Sequence, residues 1–380
     1  MSAVPERVYL DHAASAPLRA EAAAAMHEAW GQAGNPSSLH TAGRAARRIL
    51  EESREAIAAA LGARPAEVIF TSGGTEANNL ILLGALGARR ERPRVAIGGG
   101  AHPSVAGIAE RIPDRVDVLA LDATGRLRPD LAAIGPGTAL VSVLLVNNET
   151  GVVQPVDRIE VLVGASPHYL FVDAVQAFGK IGLEFSARAP DMMAVSAHKI
   201  GGPAGVGALL MKGHADQVRL IPGGGQETGR RGGTESAALI AGFGAAAAAF
   251  ADRYYAAGTA ALVDKTEAGL RALAPDAVIF GGAVERIGNT SNFAVPGLKN
   301  AVAMMGLDLK GISISSGSAC SSGKVGPSHV LKAMGVPTEL GDCAMRLSVG
   351  WDSTKADIEA FLDGFNAVLE RHRQRRGKAA

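Results

Sequence analysis

Leu140-Val141-Ser142-Val143-Leu144-Leu145-Val146 is the stretch that decides the fold. Its apolar residues run on without the in–out alternation of a half-exposed strand, as a strand buried on both faces requires. Such a strand belongs in the middle of a sheet that helices cover from either side. Comparable apolar runs lie around it at 68–70, 95–97, 116–119, 169–172, 192–195 and 206–211. Helical periodicity fills intervals between them, over 44–61, where Leu50, Ile57 and Leu61 share a face, and over 75–86. That alternation predicts an α/β domain on a mainly parallel sheet.

The pattern changes after an Ala-rich helix over 237–250. A helix over 259–273, strands near 278–280, 291–295, 312–315 and 345–349, and a last helix over 354–371 read as a smaller α+β domain. The expected division is 14–255 for the large domain and 256–380 for the small one, with residues 1–13 packing on the latter. At 380 residues two domains are a natural expectation.

A formal net charge of +1 argues against nucleic acid or a membrane surface as the main partner. No apolar run reaches the length of a membrane span, and residues 1–10 hold no signal-type apolar core. With 2 cysteines, Cys320 and Cys343, a disulfide framework is excluded and a reducing, cytoplasmic setting is expected.

Four polar groups follow four of the buried runs. Lys199, in Val195-Ser196-Ala197-His198-Lys199, stands where a partly desolvated amine can form a Schiff base. Asp173 ends 169–172 and needs a cationic or donor partner, or serves as a helix cap. Asn148 follows the central strand, and His102 follows 95–97 and a Gly run. In an open α/β sheet all four would reach one carboxyl edge, where ligands bind. Thr71-Ser72-Gly73-Gly74-Thr75 opens a helix and suits an anion such as phosphate, but no Walker A lysine follows it. Cys320 lies in Ser315-Ser316-Gly317-Ser318-Ala319-Cys320-Ser321-Ser322-Gly323, a setting for a reactive rather than a packed thiol. Cys343 reads as a packing residue.

Across Tyr9–Ala14, Gly34–Ser38, Thr71–Asn79, Asn147–Pro155, Val172–Gln176, Ser196–Lys199, Gly223–Thr234 and Ser316–Cys320, the chain resembles the cysteine desulfurases of the NifS/IscS type. These belong to the class V aminotransferase group of fold-type I pyridoxal-phosphate (PLP) enzymes, with an aspartate aminotransferase-like fold. The resemblance implies that Lys199 holds PLP, Asp173 pairs with its pyridine nitrogen, Gln176 contacts its phenolic oxygen and His102 stacks on its ring. Gly74, Thr75, Ser196 and His198 would bind the phosphate, joined by Thr234 from the other subunit of a homodimer. Asn148, Arg346 and Asn35 would hold the substrate, with Arg346 on its carboxylate.

The implied reaction converts L-cysteine to L-alanine and leaves the sulfur on Cys320 as a persulfide, for an iron–sulfur scaffold or other acceptor protein. Lys199 or His102 would move protons, and His102 is the nearest base for the Cys320 thiol. No metal site is expected beyond a transient iron–sulfur contact at Cys320. The chain stops soon after its last helix, so an acceptor other than that of longer members is expected. Ala101, Gly201, Ala204 and Thr228 depart from the family's usual residues. Two other readings are a related PLP aminotransferase or C–S/C–Se lyase that forms no protein persulfide, and a nucleotide enzyme or binding protein on an α/β sheet.

Overall fold

A computed structural model describes residues 7–32, 34–128, 134–163, 167–218, 221–249, 255–317 and 327–377. The chain opens with β1 (Val8–Tyr9), α1 (Ala20–Trp30) and α2 (Thr41–Ala60), then β2 (Val68–Thr71), α3 (Gly74–Ala88), β3 (Arg94–Gly98), α4 (Pro103–Ala109) and β4 (Val116–Leu119). There follow β5 (Thr138–Leu144), α5 (Val156–Val163), β6 (Tyr169–Asp173), β7 (Met192–Ser196), β8 (Gly207–Met211) and α6 (Ala237–Ala249). The remainder holds α7 (Tyr255–Leu273), β9 (Val278–Phe280), β10 (Thr290–Ala294), α8 (Asn300–Asp308), β11 (Ile312–Ser313), α9 (His329–Ala333), α10 (Thr338–Gly341), β12 (Ala344–Ser348) and α11 (Lys355–Gly377).

The large sheet has the order β2-β8-β7-β6-β5-β3-β4. β5 is buried along its whole length, as its unbroken apolar run requires. Its neighbours β3 and β6 are parallel to it, and so are the next pairs out, β3–β4 and β6–β7. β8 runs against both β7 and β2, so the sheet is mainly rather than wholly parallel.

Successive residues feed opposite cores. Val68, Phe70, Val141, Val143, Leu170 and Val172 join one apolar cluster, whereas Ile69, Leu140, Tyr169 and Phe171 join the other. On the first face α6 lies against α1 and α2. A Cβ at Gly244 would come 2.7 Å from Ser53 Cβ, and one at Gly242 2.6 Å from Met26 Cγ. Glycines there let the helices approach backbone to backbone. This explains an Ala/Gly-rich helix with few bulky side chains.

A second, antiparallel sheet of order β12-β10-β9 carries a third cluster built on Phe293, Met345, Leu347, Phe361 and Phe365. Leu10 belongs to that cluster, and β1 pairs with β11, which ties the N-terminal segment to this end of the chain. Phe280, Ala294, Val330 and Cys343 pack instead into the first cluster of the large sheet. Cys343 is buried, as expected of a packing thiol. Among the described residues no helix is long and apolar enough to cross a membrane.

Candidate active site

The strand order reverses between β3 and β5, and in open α/β sheets that is where a crevice opens at the carboxyl ends. A cavity of about 270 Å³ lies there. His102, Asn148, Asp173 and Lys199 all line it, having followed β3, β5, β6 and β7 to the same edge. Gly74, Thr75, Gln176, Ser196, His198 and Arg346, also expected at the site, line the same cavity.

Lys199 sits in a tight turn directly after β7 and is 8% exposed. Its Nζ donates to the carbonyls of Ala13 (2.7 Å) and Ala14 (2.8 Å), so the amine is held by the segment that follows β1. Asp173 is the last residue of β6 and is 3% exposed. Its carboxylate accepts from Asn78 Nδ2 at 2.7 Å and from the Val175 amide at 3.1 Å. A buried carboxylate with two donors is satisfied on one side and still open to a cationic partner in the cavity.

Gln176 donates through Nε2 to Ala13 O (2.8 Å) and accepts at Oε1 from Lys180 Nζ (2.8 Å). Lys180 is buried, and that burial, with Lys199 and Arg346 nearby, drives its pKa well below the usual lysine range. Both lysines therefore lean on Gln176 or Ala13, but only Lys199 lines the cavity.

The first turn of α3 opens on the cavity at Gly74 and Thr75. A Cβ at Gly74 would come 2.8 Å from Val175 Cγ2, so glycine is what lets this helix start approach the β6 end. Unpaired amides at a helix start, with the Thr75 and Ser196 hydroxyls beside them, make an anion cradle. His198 lies at the same end, within 3.4 Å of Ser15 Oγ. Burial, reinforced by Lys199, lowers its pKa to about 4.

Arg346 comes from β12 of the small sheet and is 2% exposed. One guanidinium nitrogen donates to Asn148 O and another to Asp11 Oδ1, each at 2.7 Å. Its Nε and the Oδ1 of Asn148 are buried with no hydrogen-bond partner among the described residues. Beside it Glu149 is buried and its pKa is raised by that burial, against the pull of Ser328, His329 and Arg346. Ser328 Oγ donates to Glu149 Oε2 at 2.5 Å.

Two candidates lie elsewhere in the chain. Thr234 lines a separate small cavity with Phe70, Thr71 and Arg231. Asn35 is exposed, and its Oδ1 accepts from the Ser37 amide. Cys320 falls outside the described residues; Gly317, before it, follows Ser315, whose backbone exchanges hydrogen bonds with Arg346.

Four residues the sequence reading did not single out belong to the site. Asn78 and Ser104 join Asp173 to His102, Lys180 backs Gln176, and Asp11 holds Arg346. Spacing could have pointed to Lys180, four residues after Gln176, and Asn78 shares a helix with the phosphate cradle.

Of the departures from the family pattern, Gly201 has a local reason. Gly201 has φ +80°, and a Cβ there would meet Trp351 at 2.5 Å and Arg19 at 2.7 Å, so a side chain has no room. Arg19 itself stacks on Trp351, 3.9 Å from the ring centre. Thr228 takes a left-handed backbone (φ 56°) next to Glu227 (φ 48°). Ala204 is exposed, and Ala101 is buried with its carbonyl accepting from His329 Nε2. Among the described residues no cluster of His, Cys, Asp and Glu is arranged to hold a metal.

The family model for class-V aminotransferases matches residues 8–361. An IscS-like cysteine desulfurase of Mycobacterium tuberculosis is 39% identical over 96% of this chain and 97% of its own length. A cysteine desulfurase of Cereibacter sphaeroides is 38% identical over 97% of both. Among solved structures, a NifS-like protein from Rickettsia africae superposes with a TM-score of 0.86 at 31% identity, covering 96% of this chain and all of that one. The structure of SspA in complex with cysteine superposes with a TM-score of 0.80 at 29% identity, over 92% of this chain. With a strand-edge lysine, an aspartate and an anion cradle around one cavity, and relatives matched end to end, this chain belongs to the class-V aminotransferase family, among its IscS- and NifS-like members.

Proposed function

We propose that this protein is a PLP-dependent cysteine desulfurase that converts L-cysteine to L-alanine and takes up the sulfur on Cys320. Its named relatives are cysteine desulfurases, and one solved neighbour holds cysteine. The observation that carries the cofactor reading is the set of groups that meet in one cavity. Asp173 faces it with a carboxylate, α3 with its first turn, and Lys199 with an amine that donates to the carbonyls of Ala13 and Ala14. PLP presents the complement: a protonated ring nitrogen, a phosphate and an aldehyde.

Asp173 would hold the ring nitrogen, Gly74, Thr75, Ser196 and His198 the phosphate, and Lys199 the aldehyde carbon. Gln176 would reach the phenolic oxygen through Nε2, the donor side that Lys180 turns away from itself. When bound, the cofactor supplies an electron sink that stabilises negative charge on substrate carbons. Arg346 would grip the substrate carboxylate with a fork suited to it, and the unpartnered Nε and Asn148 Oδ1 mark room for that contact.

The reaction balances without another reagent. The Cys320 thiolate attacks the substrate sulfur, the substrate C–S bond breaks, an S–S bond forms, and protons return to the carbon skeleton as alanine and to the terminal sulfur. Thr234 would complete the phosphate site from a second copy of the chain, which makes a homodimer the working unit. Asn35 would meet substrate in that dimer. The separate third cluster supports a small domain from about residue 256, with the N-terminal segment attached. An iron–sulfur scaffold or another acceptor protein would receive the sulfur.

The test is Cys320→Ser in the PLP-loaded protein. It should keep the visible absorbance of the lysine-bound cofactor but lose alanine production by about two orders of magnitude or more, with no added sulfur by mass spectrometry. Undiminished turnover would favour a lyase or aminotransferase that needs no protein thiol.

A further inference from the structure

His102 could serve the reaction either as a base or as a hydrogen-bond donor, and its surroundings choose between these. Nδ1 of the ring accepts from the Ser104 amide at 3.1 Å, as the side-chain cap of α4. An amide can only donate, so Nδ1 carries a lone pair. Ser104 Oγ also lies 2.8 Å from Nδ1 and must point its hydrogen there. That hydroxyl in turn accepts from Asn78 Nδ2 at 2.8 Å. The amide of Asn78 cannot be turned over, because the same Nδ2 donates to the acceptor-only carboxylate of Asp173 at 2.7 Å. Direction is thus fixed from Asp173 through Asn78 and Ser104 to the imidazole. Asn78, the middle of this relay, is 1% exposed.

We propose that Asn78 and Ser104 are positioning residues that hold neutral His102 in its Nε2–H form, so that it meets the substrate as a hydrogen-bond donor and not as a base. Among the described residues Nε2 has no hydrogen-bond partner, and His102 lines the cavity. Burial keeps the imidazole neutral by lowering its pKa; Asp173 opposes that, and Lys199 and His329 add to it. For neutral His102 to accept a proton at Nε2, its hydrogen would have to sit on Nδ1, facing the Ser104 N–H donor to donor. The substrate's proton is therefore left to the amine of Lys199. A neutral imidazole used as an electrophile has precedent in enzymes. The same polarity removes His102 as the base that would ionise Cys320. The inference rests on the cysteine desulfurase reading for what the donor acts on, but the tautomer does not depend on it.

Two measurements test the proposal. Long-range proton–nitrogen correlation spectra of 15N-histidine-labelled protein without cofactor, with His102 assigned by its absence in His102→Gln, should show Nε2 protonated and Nδ1 bare at neutral pH. A protonated Nδ1 in the wild type overturns the proposal whatever the enzyme does. Asn78→Ala should mix the two tautomers, because the released Ser104 hydroxyl can then accept from Nδ1–H; Ser104→Ala should do so less, because it removes that acceptor and leaves only the backbone donor; and Ser104→Thr should restore the wild-type signal. Unchanged tautomers in Asn78→Ala would remove Asn78 from the relay. In the loaded enzyme, His102→Gln and His102→Glu have nearly the same shape, but one keeps a donor and the other supplies a base. Gln should retain at least about tenfold more kcat than Glu, on the scale at which acid–base groups act; the reverse order overturns the donor role. A wild type that releases no alanine from cysteine would defeat the functional reading and leave the tautomer result standing.

Discussion

Two walls meet at the cavity, and they are built differently. The large sheet contributes residues that simply end its strands: His102, Asn148, Asp173 and Lys199 reach the same edge because the strands beneath them are parallel. The small sheet contributes Arg346 alone, on a strand that pairs antiparallel with β10, and this residue is placed by partners from far away in sequence. The first wall is positioned by backbone topology. The second is positioned by a partly buried ion pair and a carbonyl. Substitutions behind the first wall should therefore change chemistry with little loss of fold, and substitutions in the second should unsettle the fold itself.

Asp11→Ala is the strongest way to break that contrast. Arg346 is 2% exposed, and removing its carboxylate leaves a buried guanidinium held by Asn148 O. Losing one partner of a fully buried pair typically costs about 3–5 kcal/mol, and the 19% exposure of the Asp11 side chain puts this pair at the low end. We expect a stability loss of about 3 kcal/mol by urea titration, largest in the absence of substrate. Added L-cysteine should recover part of it, since its carboxylate can take the vacant place. A loss below about 1 kcal/mol would mean that the small-sheet wall does not depend on Asp11.

The same contrast explains what could be read from sequence. A buried strand run has a definite end, and polar groups at such ends fall on one edge, so Lys199, Asp173, Asn148 and His102 were legible. The direction of β8 was legible in principle too. Ser196 and Gly207 are too close in sequence for a crossover, which needs a dozen or more residues, so β8 had to turn back. Ser104 and Lys180 lie close in sequence to the residues they serve, but Asn78 and Asp11 were not legible as partners. Their roles are created by side chains meeting across 95 residues for Asn78 with Asp173 and 335 for Asp11 with Arg346. No local period encodes such meetings. Asn35 and Thr234 show the converse: a motif supplies a residue, but within one chain the fold keeps it out of the cavity.

Two histidines beside these walls are shielded from solvent, the buried His12 and the half-buried His198, and phosphate should separate their responses to acid. His198 on the large sheet and His12 on the N-terminal segment both have pKa values lowered to about 4, chiefly by burial. His12 lies against Trp351 and is 3.4 Å from Asp352. In the unfolded chain each titrates near the ordinary value of about 6.5, so between these values the unfolded state binds more protons. Stability should hold above pH of about 6.5 and fall as pH drops toward 4, by up to about 3 kcal/mol for each histidine. Inorganic phosphate should oppose the His198 share, because an anion in the cradle favours the charged ring, and leave the His12 share alone. His198→Gln should flatten only the phosphate-sensitive part of the curve. A flat stability profile from pH 7 to 4 would refute both shifts.

The smallest expected effect lies in the brace behind the first wall. Glu227 takes both Nη atoms of Arg54 in a bidentate pair (2.8 and 2.9 Å) and accepts from the Phe70 amide at 2.9 Å, which anchors β2 just before the Gly73–Gly74 turn. It does so from a left-handed backbone that Thr228 shares, at φ 56°. A β-branched residue in that region is strained by about 1–2 kcal/mol, which glycine avoids. Thr228→Gly also widens the choices open to the unfolded chain, and that offsets part of the gain. The net expectation is a stabilisation of about 0.5–1 kcal/mol, seen as a higher Tm, with affinity for PLP unchanged. If the variant instead weakens PLP binding, the strained pair is holding the anion cradle in place. The large-sheet wall would then depend on a distant contact as the other wall does, and strand topology alone would no longer account for it.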